Sequence, residues 1–130
     1  MTTELLAPAG GREALVAAVQ SGADAVYMGF GAFNARRSAR NFSDEEFRAA
    51  VSYCHLRGVK VYLTLNTLVT DRELSALAAE ARTASECGVD AILVQDWGVL
   101  ATLQKIIPGA ALRRCGWTEH PAAPPPARRC

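Results

Sequence analysis

Three stretches of one design limit what this chain can fold into. Gly22-Ala-Asp-Ala-Val-Tyr-Met-Gly29, Gly58-Val-Lys-Val-Tyr-Leu-Thr-Leu-Asn66 and Gly88-Val-Asp-Ala-Ile-Leu-Val-Gln95 each open with glycine, run apolar and close on glycine or polar residues. Near-continuous apolarity is the mark of a strand buried on both faces, since a strand with one wet face alternates. The opening glycines are 36 and 30 residues apart, which leaves room for a helix in each interval.

The intervening segments carry helix signals. Leu15, Ala18 and Val19 recur at helical spacing, with Glu13 in the first turn and Gly22 placed as a C-terminal cap. Ser43-Asp-Glu-Glu46 is a capping box, followed by the apolar stripe Phe47, Ala50, Val51 and Cys54. Thr70-Asp-Arg-Glu73 repeats that logic ahead of Leu74, Leu77, Ala78 and Ala81. Asp96 can cap a fourth helix carrying Leu100, Leu103 and Ile107, which Pro108 ends. With Glu4-Leu-Leu-Ala7 as a first strand, the order is β-α repeated four times, an α/β fold with a parallel sheet.

Two parallel architectures compete. A doubly wound sheet usually has a glycine-rich phosphate turn after its first strand, and Ala7-Pro-Ala-Gly-Gly11 lacks that pattern. A TIM-like (β/α) barrel expects polar residues at strand C-terminal ends, which Asn66, Thr67, Gln95 and Asp96 supply; these four, with Thr64, are substrate-binding candidates. The expectation is the first half of such a barrel, residues 1 to 110, with four βα units. Four of the six prolines fall within residues 111 to 130, so strand and helix are disfavoured over most of that stretch, which is expected to be a disordered tail.

Charge is uninformative in total, at +1, but uneven: residues 1 to 110 hold ten basic against twelve acidic residues, and the tail is basic. Cys54, Cys87, Cys115 and Cys130 form no Cys-x-x-Cys pair and no zinc spacing, so no metal site is expected from them. Without a leader or a run of about 18 apolar residues, the expected location is cytoplasmic and no membrane partner is implied.

The long connection after the second strand is the best anion-binding candidate. It carries Asn34, Arg36, Arg37, Arg40 and Asn41, with Phe30, Phe33 and Phe42 as anchors. Guanidinium forks suit carboxylate or phosphate, whereas a solvated loop with inward phenylalanines is the plain alternative. Asn66 and Thr67 could hydrogen-bond a substrate or only satisfy their own loop. Asp96 could act as acid, base or ligand, or only cap its helix. His55 lies in the last turn of its helix, where a cation meets the dipole. No Ser-His-Asp order, no His-Glu-x-x-His and no cysteine-histidine pair can be assembled, so the catalytic residues are unknown.

Several motifs together resemble the N-terminal region of the U32 peptidases, or collagenase-like proteases. They are Glu4-Leu-Leu-Ala-Pro-Ala-Gly10, Gly22-Ala-Asp-Ala-Val-Tyr27, Phe33-Asn-Ala-Arg36, Asn41-Phe-Ser43, Gly58-Val-Lys-Val-Tyr62, Thr64-Leu-Asn-Thr67 and Gly88-Val-Asp-Ala91 with Gln95-Asp96. The resemblance implies a TIM-like barrel in a protein two or more times this length, acting as a peptidase. The alternative it implies is an oxygen-independent hydroxylation factor for RNA or a ubiquinone precursor, using an iron-sulfur cluster held further along the chain. It points to peptide or RNA substrates for the full-length relative and to no cofactor in this portion. Arg36 gains weight by falling within Phe33-Asn-Ala-Arg36, whereas Glu4, which begins rather than ends its strand, is not assigned a catalytic role.

The family pattern continues with a strand like Leu-His-Ala-Ser-Thr-Gln, where this chain reads Leu112-Arg-Arg-Cys-Gly116. The chain is therefore expected to be truncated or frameshifted and inactive alone. A third reading is a non-catalytic or misfolded fragment. Half a barrel exposes two strand edges and could self-associate.

Overall fold

The computed structural model describes residues 4–29, 42–65 and 69–114. Five strands and four helices alternate: β1 (Leu6–Pro8), α1 (Arg12–Gln20), β2 (Ala25–Gly29), α2 (Asp44–Leu56), β3 (Lys60–Leu65), α3 (Leu74–Glu86), β4 (Ala91–Val94), α4 (Trp97–Ile106) and β5 (Leu112–Arg114). The strands lie side by side in chain order and every pairing is parallel.

The choice between the two α/β architectures follows from which sheet face the helices cover. Val26, Met28, Val61, Leu63, Leu65, Ile92 and Val94 share one buried cluster with the helix residues Leu15, Phe47, Val51, Cys54, Leu77, Ala81, Val99 and Leu103. The alternate strand positions, Ala25, Tyr62, Ala91 and Leu93, form a second cluster that contains no helix residue. All four helices thus pack on one face. A doubly wound sheet would place them on both.

The other face is concave. Pairing runs from Arg113 through Leu93 and Thr64 to Gly29, and Tyr27 pairs with Pro8, which puts Glu4 well below the register of Arg113. In a flat sheet five strands wide, β1 and β5 would be about 19 Å apart, with a further offset of roughly 20 Å along the strands. Yet Arg113 Nη1 lies 4.0 Å from Glu4 Oε1. Only a curled sheet with tilted strands brings these two side chains together, as in the first half of a (β/α) barrel.

The first three helices return to the sheet through the same joint. Gly22, Gly58 and Gly88 have φ of +93°, +72° and +91°, a left-handed conformation that glycine adopts without steric cost. Their amides donate to Val19, His55 and Ser85, and the next residues, Ala23, Val59 and Val89, donate to Ala18, Cys54 and Ala84. This is the Schellman pairing of a helix C-terminus. Two of the three motifs add an aspartate. Asp24 Oδ2 accepts from the Leu5 amide at 2.8 Å, and Asp90 Oδ2 accepts from the Val61 amide at 2.7 Å.

Three boundaries differ from the sequence expectation. The first strand begins at Leu6 rather than Glu4 and includes Pro8. That proline is tolerated because the Ala9 amide bonds Tyr27 on β2, so the neighbouring Pro8 nitrogen points to the free side. The Ser43 capping box forms in full, but its repeat at Thr70 does not open a helix. Glu73 reaches back to the Thr70 amide at 3.4 Å, residues 71–73 make a turn, and α3 starts only at Leu74, without a side-chain cap. Lastly, Leu112–Arg114 pairs with Ile92–Val94 as a fifth strand, so ordered structure runs past residue 110.

Candidate functional site

The C-terminal ends of β3 and β4 gather the described members of the site proposed from sequence. Thr64, on the concave face near the end of β3, is buried, and its hydroxyl donates to the Met28 carbonyl at 3.2 Å. That bond ties β3 to β2 and leaves the hydroxyl oxygen as an acceptor toward the barrel interior. Gln95 follows β4 directly and is exposed. Asn34, Arg36, Asn41, Asn66 and Thr67 lie outside the described residues, as do Arg37, Arg40, Phe30 and Phe33.

Asp96 is the best-connected of the set. Its Oδ1 accepts from the amides of Gly98 at 2.7 Å and Val99 at 3.3 Å, capping α4. Its Oδ2 accepts from the Val69 amide at 3.2 Å, so one carboxylate joins the β3–α3 connection to the start of α4. The Val69 amide, and then those of Gly98 and Val99, hold the carboxyl below its ordinary range against the opposing effect of burial. A carboxylate so held stays ionised at neutral pH and is a poor proton donor. Its geometry is that of a helix cap and loop tie. The neighbouring Trp97 presents its indole at the same end of the sheet, 64 % exposed.

The described cysteines are equally restrained. Cys54 is buried in α2, and burial pushes its thiol up to about 11, while burial also raises Cys87. An iron-sulfur cluster needs thiolate ligands, and the buried neutral thiol of Cys54 does not suit that requirement. Among the described residues no three His, Cys, Asp or Glu side chains group to hold a metal ion. His55 bonds Asp90 at 2.8 Å near the N-terminal ends of the strands, opposite to the end that carries Thr64 and Asp96. The bond ties the last turn of α2 to the residue ahead of β4.

A further polar group, not expected as a unit from the sequence, lies inside the curve of the sheet. On the concave face the Tyr62 hydroxyl donates to Glu4 Oε2 at 2.9 Å, and the Arg113 guanidinium lies 4.7 Å from the Tyr62 ring centre. Burial, reinforced by the bond to Glu4, raises the Tyr62 phenol above its ordinary value. The meeting of Glu4 and Tyr62, 58 residues apart, depends on sheet curvature.

With this geometry in hand, the family model described as peptidase family U32 matches residues 10–114. The chain belongs to peptidase family U32. Over 94 residues it is 38 % identical to a collagenase of Porphyromonas gingivalis, covering 72 % of this chain and 23 % of the relative. Over 99 residues it is 42 % identical to the 23S rRNA 5-hydroxycytidine synthase of Escherichia coli, covering 75 % of this chain and 15 % of that protein. The solved structure of a U32 peptidase superposes with a TM-score of 0.62 at 16 % identity, over 88 % of this chain and 48 % of its own. This U32 chain therefore spans less than a quarter of these curated relatives. No helix among the described residues is long and apolar enough to cross a membrane.

Proposed function

We propose that residues 4–114 form the substrate-cradling first half of a U32 peptidase-like barrel, without hydrolytic activity of their own. The observation that carries this reading is the commitment of the polar side chains described at the C-terminal end of the sheet. Asp96 is engaged by three backbone amides, and the Thr64 hydroxyl donates to Met28. Neither can serve as nucleophile or proton donor without giving up a bond that holds the fold. What they offer is a rigid rim with acceptor atoms, beside the exposed amide of Gln95, and this suits holding a substrate. Bond-making groups would come from outside the described residues.

A second reading, that the cradle holds an RNA base for hydroxylation, is favoured by the identity to the rRNA synthase being no lower than that to the collagenase. The two readings separate on the purified chain of residues 1–130. First, urea unfolding establishes that it is cooperatively folded. Gelatin and fluorogenic peptides are then expected to survive incubation with it, and peptide cleavage abolished by D96A but not by a surface substitution would overturn the proposal. Fluorescence anisotropy with a labelled gelatin peptide and a labelled single-stranded RNA decides which substrate class the rim retains. If neither binds at protein concentrations in the millimolar range, the cradle reading fails.

A further inference from the structure

We propose that Glu4, Tyr62 and Arg113 form a clasp across the concave face that sets the curvature of the sheet. The three come from the base of β1, from β3 and from β5, alternate strands of the barrel. Side chains from alternate strands fill one interior layer in this architecture, and such layers are ordinarily built of branched aliphatic residues. Here the layer is polar and internally matched. Each carboxylate oxygen of Glu4 faces a different partner, Oε2 the Tyr62 hydroxyl at 2.9 Å and Oε1 the Arg113 guanidinium at 4.0 Å. The guanidinium in turn lies over the Tyr62 ring, so the phenol supplies both a donor for the acid and a face for the base. Ala91, which pairs with Tyr62 in the register, is small enough to leave that ring its space.

Curvature is what these residues control, because Glu4 lies two residues ahead of β1 and Arg113 lies in β5, the two outermost described strands. Their separation is the chord of the sheet. If the sheet flattens, the ion pair opens first, and Tyr62 is then stripped of partners on both sides. Side-chain exposures of 26 % for Arg113 and 16 % for Glu4 keep the pair partly shielded from salt. Arg113 thereby has a defined task, although it lies in the stretch whose sequence suggests a tail. The inference is independent of substrate class, since it concerns only the chain's own residues.

Hydrogen exchange on the full chain tests it. The Ile92 amide, bonded to the Ala111 carbonyl, reports attachment of β5, and the Asp24 amide, bonded to the Leu5 carbonyl, reports attachment of β1. A clasp predicts that E4R and R113E each speed exchange at both amides by about fivefold or more, and that the charge-swapped E4R/R113E chain exchanges more slowly than either. Y62F, which keeps the ring and loses the hydroxyl, should fall between wild type and R113E. Singles within twofold of wild type, or a swapped chain as fast as the faster single, would overturn the clasp. Should the reversed-charge chains fail to fold, the neutral pair decides by urea unfolding. E4Q/R113Q no less stable than the worse of E4Q and R113Q supports the clasp, and additive losses reject it.

Discussion

Replacing Asp96 divides its two structural roles. In Asp96→Ala the amides of Gly98 and Val99 lose their cap and the Val69 amide loses its acceptor. Loss of an N-cap costs about 1 kcal/mol. Stranding a part-buried amide that faced a carboxylate costs about 1–2 kcal/mol more. The expected loss is thus about 2–3 kcal/mol, a fall in Tm of roughly 8–12 °C for a domain of this size. In Asp96→Asn the amide oxygen still caps α4, since asparagine is as good a cap as aspartate, but its NH2 group turns toward the Val69 N–H. That variant should lose about half as much. Urea unfolding followed by circular dichroism measures both. The pH dependence provides a second check, because the folded carboxyl titrates below its unfolded value. Its contribution is present above the unfolded value of about 3.9 and disappears as pH falls through the folded one. The gap between wild type and Asp96→Ala should therefore narrow from pH 7 to pH 3. An Asp96→Asn protein as stable as wild type at pH 7, or a gap that is unchanged by acid, would refute the assignment of Asp96 as a loop tie.

Ser43→Ala removes the acceptor for the Glu46 amide in the capping box of α2 and should lower stability by about 1 kcal/mol in the same urea assay, with little effect of Glu46→Gln, which can still reach the Ser43 amide. Cys54, fully buried with its thiol pushed up to about 11, should resist iodoacetamide at pH 8 in the folded chain and react once the chain is unfolded in urea. Leu63→Ala, in the helix-covered face of the central strand, should cost about 2–5 kcal/mol and shift the unfolding midpoint more than any of these surface changes.

Local rules made most of the fold legible in the sequence. The three glycines announced their joints because a left-handed residue is a requirement of one position, and the Ser43 box announced α2 because both partners sit within one turn. Thr70 shows the limit of such rules. It has the same residue types at the same spacing, yet residues 71–73 turn before the helix begins. The strand-end candidates were readable as polar residues after apolar runs, and Asp96 was readable as a cap. Its bond to Val69 was not, since it spans 27 residues and depends on how two loops lie together. Glu4 and Arg113 were least legible of all. They meet only because the sheet curls, and no pairwise pattern along the chain encodes the radius of that curl.

The connections of the fold differ in length according to the end of the sheet at which they lie. From strand to helix the chain spends 3, 14, 8 and 2 residues, whereas from helix back to strand it spends 4, 3, 4 and 5. The glycine joints leave little latitude at one rim, because three of those short returns begin at the same hydrogen-bonded turn. The variation in connection length therefore lies mostly at the opposite rim, in the connections of 14 and 8 residues. Length changes there leave the register of the strands to the glycine joints at the other rim.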